Sequence, residues 1–141
     1  MEELRADPAL MPTAIEEILR YRSPVQFMAR MTTQEVELSG HVIPAGEHVS
    51  AWITSANRDE TQFPDPDRFD IHRTPNKPIA FGSGVHFCLG APLARLEASV
   101  ALTVLLDRWR DIRRADQGPI EPAHSPLLLG ARHLPITFRK R

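Results

Sequence analysis

Apolar residues recur at helical spacing in two parts of this chain, and the two parts differ. In PTAIEEILRY, residues 12–21, Ile15, Ile18 and Leu19 share one face with charges between them, which predicts a short amphipathic helix. Pro12 suits its first turn and Ser23-Pro24 ends it. Residues 91–109, APLARLEASVALTVLLDRW, predict a longer helix, with Pro92 in its first turn and Arg108 and Arg110 at its negative end. Its segment ASVALTVLL is apolar or small on every face, and such a helix has to be covered all round. Between the helices, residues 25–53 predict small strands: Gly40 and Gly46 bracket HVIPA, and Val49, Ala51 and Ile53 alternate with more polar positions. The opening MEELRADPALMP reads as a charged helix and a turn, and SANRDE as a helical turn or loop. Residues 125–138, within HSPLLLGARHLPITF, predict a C-terminal strand pair around a glycine turn.

The stretch between these elements is punctuated by proline. Several of the chain's 13 prolines fall in FPDPDRFDIHRTPNKPIAF, residues 63–81. Proline has no backbone donor and restricts its predecessor, so neither a regular helix nor a central strand fits. A long ordered coil is expected, pinned by Phe63, Phe69, Ile71 and Phe81. The small elements together offer thin cover for the long helix, so part of the packing is expected to lie outside this chain.

Composition narrows the function classes. With 42% apolar and 25% charged residues, the 141-residue chain is an ordinary globular sequence of one domain. A net charge of -1 gives no electrostatic case for nucleic acid or an anionic membrane surface. No apolar run reaches the length of a membrane span. A single cysteine excludes an internal disulfide and suits a reducing cytoplasm.

That cysteine, Cys88, stands in FGSGVHFCLG, residues 81–90, with glycines at 82, 84 and 90. Glycines allow positive φ and a close approach of backbone to a bulky group. A thiol just before a helix start is favoured as the thiolate by the dipole and free N–H groups. A thiolate held by such a turn beneath a flat cofactor is one way proteins ligate haem iron.

The stretch 81–90 resembles the haem-binding loop of cytochromes P450 in its FGxGxHxCxG form, common in soluble bacterial members. In AIEEILRY, Glu17 and Arg20 resemble the family's ExxR motif, three residues apart and so on one helix face. Arg68 in DPDRF resembles the arginine that completes this structural network. The resemblance implies a fold that is mainly α with small β-sheets (α+β): the C-terminal part of a P450, residues 1–141, without the N-terminal helices and the central oxygen-activating helix. It implies haem b (iron protoporphyrin IX) with Cys88 as axial thiolate, whose electron donation favours O–O cleavage. Phe81 would pack on the thiolate side of the haem, with Gly82 and Gly90 shaping the loop, and Arg30 and His86 would hold the propionates. Val25 and Phe27, and Leu127 and Leu128, resemble substrate-contacting segments. The family's partners would be a small hydrophobic organic substrate, O2, and a ferredoxin or similar protein relaying electrons from NAD(P)H. No nucleic acid or membrane is expected, and a cytoplasmic location is. Pro78 stands where many bacterial members carry histidine. No catalytic acid–threonine pair is expected within this chain.

Other readings of the same residues compete. The chain could be a truncated, non-catalytic P450 remnant that does not hold haem alone. His86-x-Cys88 could suggest zinc, but a structural site needs four ligands. A Cys–His nucleophilic pair or a thiol redox module is a weaker competitor. His41, His48, His72, His124 and His133 carry no ligand spacing. Arg108, Arg110, Arg113 and Arg114 form a basic cluster that reads first as a solvated face, and second as a docking patch for an acidic electron carrier.

Overall fold

The computed structural model describes residues 1–141. Helix α1 (Glu2–Ala6) and a 3-10 turn lead into α2 (Met11–Tyr21). Four strands follow, β1 (Phe27–Met31), β2 (Val36–Leu38), β3 (His41–Ile43) and β4 (His48–Trp52), then the one-turn helix α3 (Ile53–Ala56). A long coil carries the chain to a 3-10 turn at Gly84–His86, then to α4 (Ala91–Arg108), β5 (Trp109–Arg114) and β6 (Ile136–Lys140). The strands form three separate antiparallel pairs: β1 with β4, β2 with β3, and β5 with β6.

Local chemistry explains these limits. Ser39 and Gly40, both at positive φ, make the two-residue turn between β2 and β3, and two such residues match the twist of a tight hairpin. Thr32 closes the other end of this arm: its hydroxyl donates to the Pro44 carbonyl at 2.6 Å and its carbonyl accepts the Gly46 N–H. Helix α2 starts around Pro12, and the Ser23 hydroxyl donates back to the Leu19 carbonyl at its end.

The C-terminal segment departs from expectation. Residues 125–138 do not pair with one another as a hairpin. Their second part belongs to β6 and pairs with β5, directly after α4. The first part makes only isolated bridges, Val25 to Leu128 and Pro122 to Ala131. Trp109 stacks on Phe138 at 4.2 Å between ring centroids, an aromatic contact that the distant pairing gains.

The core is small. Leu4, Met11, Ala14, Ile15 and Leu106 are buried together, flanked by Leu19, Ile71, Ala98 and Leu102, where α2 packs against α4. The opposite face of α4 has no cover from this chain: Leu93, Leu96, Val100 and Val104, spaced three to four residues apart, are exposed. No helix is long and apolar enough to cross a membrane.

Candidate functional site

Four of the most buried large side chains are polar: Arg20, Glu17, Asn57 and Ser23. Glu17 and Arg20 lie one turn apart on α2 and form a bidentate pair. The Asp70 N–H and the Asn76 side-chain amide also donate to the Glu17 carboxylate, at 2.8 and 3.0 Å. The remaining N–H groups of Arg20 donate to the carbonyls of Asn57, Pro66 and Arg68, so all five of its donors are used. Asn57 in turn donates to Ser23 and accepts the Ile79 N–H. One buried ion pair thereby fixes both ends of the proline-rich coil to α2. Burial pushes the Glu17 carboxyl up, but the Arg20, Asp70 and Arg73 partners outweigh it and hold it below the usual range.

The third arginine of this network is not Arg68. The Arg68 side chain is 71% exposed and reaches only Asp70, at 3.8 Å; what it contributes is its backbone carbonyl. Arg73 takes the place expected of it, with Nε 3.4 Å from Glu17 and its other nitrogens donating to the carbonyls of Pro64, Asp65 and Arg68. Both arginines lie in a coil without periodicity. Sequence reasoning also passed over Asn57 and Asn76; an asparagine directly after a short helical turn was the one available signal for Asn57.

The coil ends at the cysteine turn. Gly82 and Gly84 both have positive φ, and a Cβ on Gly82 would stand 3.3 Å from the His86 carbonyl oxygen. These two positions require glycine, and they fold the chain back so that the Cys88 N–H donates to the Phe81 carbonyl at 2.9 Å. The Cys88 carbonyl then accepts the Ala91 N–H as α4 begins. Gly90 lies beneath the thiol, its would-be Cβ 3.7 Å from Sγ.

Cys88 itself is exposed. Around it, Val85 and Leu89 are each 97% exposed and Phe87 about half. Three large apolar side chains beside an outward thiol form a surface that fits a flat, apolar, metal-bearing group. His86 is exposed on the same turn and makes no hydrogen bond to Cys88. Arg30, exposed on β1, donates only to the neighbouring Ala29 carbonyl and has no carboxylate partner within the chain. Its guanidinium is therefore free for an anion such as a propionate. No three His, Cys, Asp or Glu side chains are placed to hold a metal ion together.

The segments resembling substrate contacts meet. Val25 bridges Leu128, the Gln26 N–H donates to the Leu127 carbonyl at 2.9 Å, and the Leu129 N–H to the Pro24 carbonyl at 2.7 Å. Phe27 packs against Trp52, ring centroids 5.0 Å apart. Leu127 and Leu128 remain about half exposed.

The cytochrome P450 family model matches residues 2–137. Cyclomarin C epoxidase CymV of Salinispora arenicola is 47% identical over 137 residues, covering 97% of this chain and 34% of that protein. The cytochrome P450 monooxygenase PikC of Streptomyces venezuelae is 45% identical over 139 residues, covering 97% and 33%. The crystal structure of CYP109E1 from Bacillus megaterium in complex with testosterone superimposes with a TM-score of 0.91 at 46% identity, over 96% of this chain and 38% of that one. The chain spans about a third of the length of the curated relatives it matches. At these identities over nearly all its residues, the chain belongs to the cytochrome P450 family, and its fold is part of the fold those proteins share.

Proposed function

We propose that residues 1–141 are the C-terminal haem-thiolate portion of a P450 monooxygenase. The observation that carries this reading is the outward Cys88 thiol on a turn bounded by Gly82 and Gly84, with Val85 and Leu89 wholly exposed beside it. Cys88 would be the axial ligand of haem b iron, and Phe81 would pack on the thiolate side. Arg30 and His86 would neutralise the propionates as charge-assisted donors. Haem, when bound, supplies the oxygen-activating chemistry, and the thiolate donates electron density to it. The chain's own task is to hold that thiolate and fix its orientation.

In the complete enzyme one oxygen atom from O2 would enter a small hydrophobic organic substrate. Electrons would come from NAD(P)H through a ferredoxin or similar carrier. Val25, Phe27, Leu127 and Leu128 would line part of the substrate space, supported by the bridge that joins their two segments. The testosterone complex of CYP109E1, a structural relative, supports an apolar organic substrate.

A second reading keeps the family and drops the activity: a chain that does not hold haem by itself. The uncovered face of α4 favours it. The deciding experiment is a reduced carbon monoxide difference spectrum of the haem-supplemented chain. A strongly red-shifted Soret band that Cys88→Ala abolishes supports haem-thiolate binding. No band from folded protein supports the second reading, and an unchanged band in Cys88→Ala overturns the ligand assignment.

A further inference from the structure

Phe81 joins the cysteine turn to both long helices. Its ring borders an apolar crevice of about 240 Å³ formed by Ile15, Ile18 and Leu19 of α2 and Ala94, Ala98 and Leu102 of α4. A half-buried ring in an open crevice is held only by non-directional apolar contact and can rotate or tilt. Here one directional contact is added: the Arg95 guanidinium carbon lies 4.8 Å from the ring centroid. Arg95 in turn is held by Glu16 of α2, Nε to Oε1 at 2.5 Å and Nη2 to Oε2 at 3.1 Å. A bidentate pair fixes the plane as well as the position of a guanidinium, and both partners are partly shielded, at 34% and 25% exposure. The Glu16 carboxylate also holds the Arg95 cation above its ordinary pKa.

The contact continues to the thiol. The carbonyl of Phe81 accepts the Cys88 N–H, so the ring and the ligand backbone belong to one residue and its hydrogen-bonded partner. We infer that Arg95 is a positioning residue for the cysteine ligand: clamped by Glu16, its cation fixes the Phe81 ring, and through the Phe81 carbonyl it fixes the backbone of Cys88. This deepens the haem-thiolate reading, because it says what orients the ligand. The contacts themselves are present in the chain without haem. Neither Glu16 nor Arg95 touches the thiol, and both act from the helices that flank the turn.

The test is amide hydrogen exchange at Cys88, read by NMR on the full chain without haem. Arg95→Met is expected to speed exchange at Cys88 by roughly three- to tenfold. The Ala94 amide, which donates to the Gly90 carbonyl within the first turn of α4, is expected to keep its rate. Arg95→Lys, which keeps the cation but not the planar two-point fork, should restore part of the protection. Glu16→Gln, which releases the clamp with little change of volume, should give an intermediate rate, and it carries the test if Arg95→Met does not fold. An unchanged rate at Cys88, an equal acceleration at Ala94, or an Arg95→Lys variant as fast as Arg95→Met would each overturn the inference. Because the rates are read without haem, failure of the carbon monoxide spectrum bears on the ligand reading alone.

Discussion

Glu17 and Arg20 meet as a two-point ion pair, 2.7 Å from Nε to Oε2 and 2.8 Å from Nη2 to Oε1, with neither side chain exposed. Removing one partner of a buried pair strands the other. Glu17→Gln keeps the shape and deletes the charge, leaving Arg20 and Arg73 without their anion, and should cost about 3–5 kcal/mol of stability. Urea unfolding measures it; a midpoint equal to that of the parent would mean that the pair does not hold the coil. The pH dependence follows from the sign. The Glu17 pKa is lower folded than its ordinary 4.5, so its contribution is present above that value and is lost as pH falls through the folded pKa. Glu17→Gln should therefore flatten the acid limb of the stability curve.

Arg73 and Arg68 should separate sharply. Arg73 is about nine-tenths buried and donates to three carbonyls besides facing Glu17. Arg73→Met would remove the cation facing Glu17 and leave the Pro64 carbonyl without its donor, while the Asp65 and Arg68 carbonyls keep the Arg68 N–H and Arg20; it should be clearly destabilising, by about 1–3 kcal/mol. Arg68→Ala leaves the backbone carbonyl that Arg20 and Arg73 use, and should stay within about 0.5 kcal/mol. Chemical unfolding of both variants decides it, and the reverse order would restore Arg68 to the network.

The two faces of α4 offer a second contrast. Leu106 is 4% exposed within the core, so Leu106→Ala should cost about 2–5 kcal/mol. Val100 is exposed on the other face, and Val100→Ala should change stability by less than about 0.5 kcal/mol. A large loss at Val100 in the 141-residue chain would show that this face is covered after all, for example by self-association.

Much of this arrangement was legible because it is local. The spacing of Ile15, Ile18 and Leu19 gave α2 as a helix, with Pro12 and Ser23-Pro24 near its limits, but its buried face runs through Ala14, Ile15, Glu17 and Arg20, and Ile18 is exposed. The glycines around Cys88 announced a turn requiring positive φ. The apolar girth of α4 announced cover that the chain lacks, and its exposed Leu93, Leu96, Val100 and Val104 are that shortfall. Non-local choices were not legible. The glycine turn in residues 125–138 suggested a strand pair within that segment, but its second part pairs instead with β5, where Trp109 stacks on Phe138. Likewise the spacing of Arg68 and Arg73 in a coil says nothing about which points inward. The clamp of Glu16 on Arg95 joins two helices 79 residues apart, beyond any window of sequence pattern.

His72 ties the coil to the first helix. Its Nε2 lies 2.6 Å from Glu3 Oε1, and both side chains are more than half exposed. The hydrogen bond with Glu3 raises the His72 pKa above 6.5, against desolvation, which lowers it, and with help from the charges of Glu3, Asp70 and Asp7. A group whose pKa is raised on folding contributes fully below its unfolded value and loses that contribution as pH rises through the folded one. The contact between the coil and α1 should therefore weaken on the alkaline side of 6.5. NMR titration of the His72 ring checks this: Glu3→Gln should lower its midpoint towards the ordinary value. An unmoved His72 midpoint in Glu3→Gln would mean that the ring and the carboxylate are not paired in solution, and that α1 is held by Leu4 and by Arg5 donating to the carbonyls of Leu106 and Trp109.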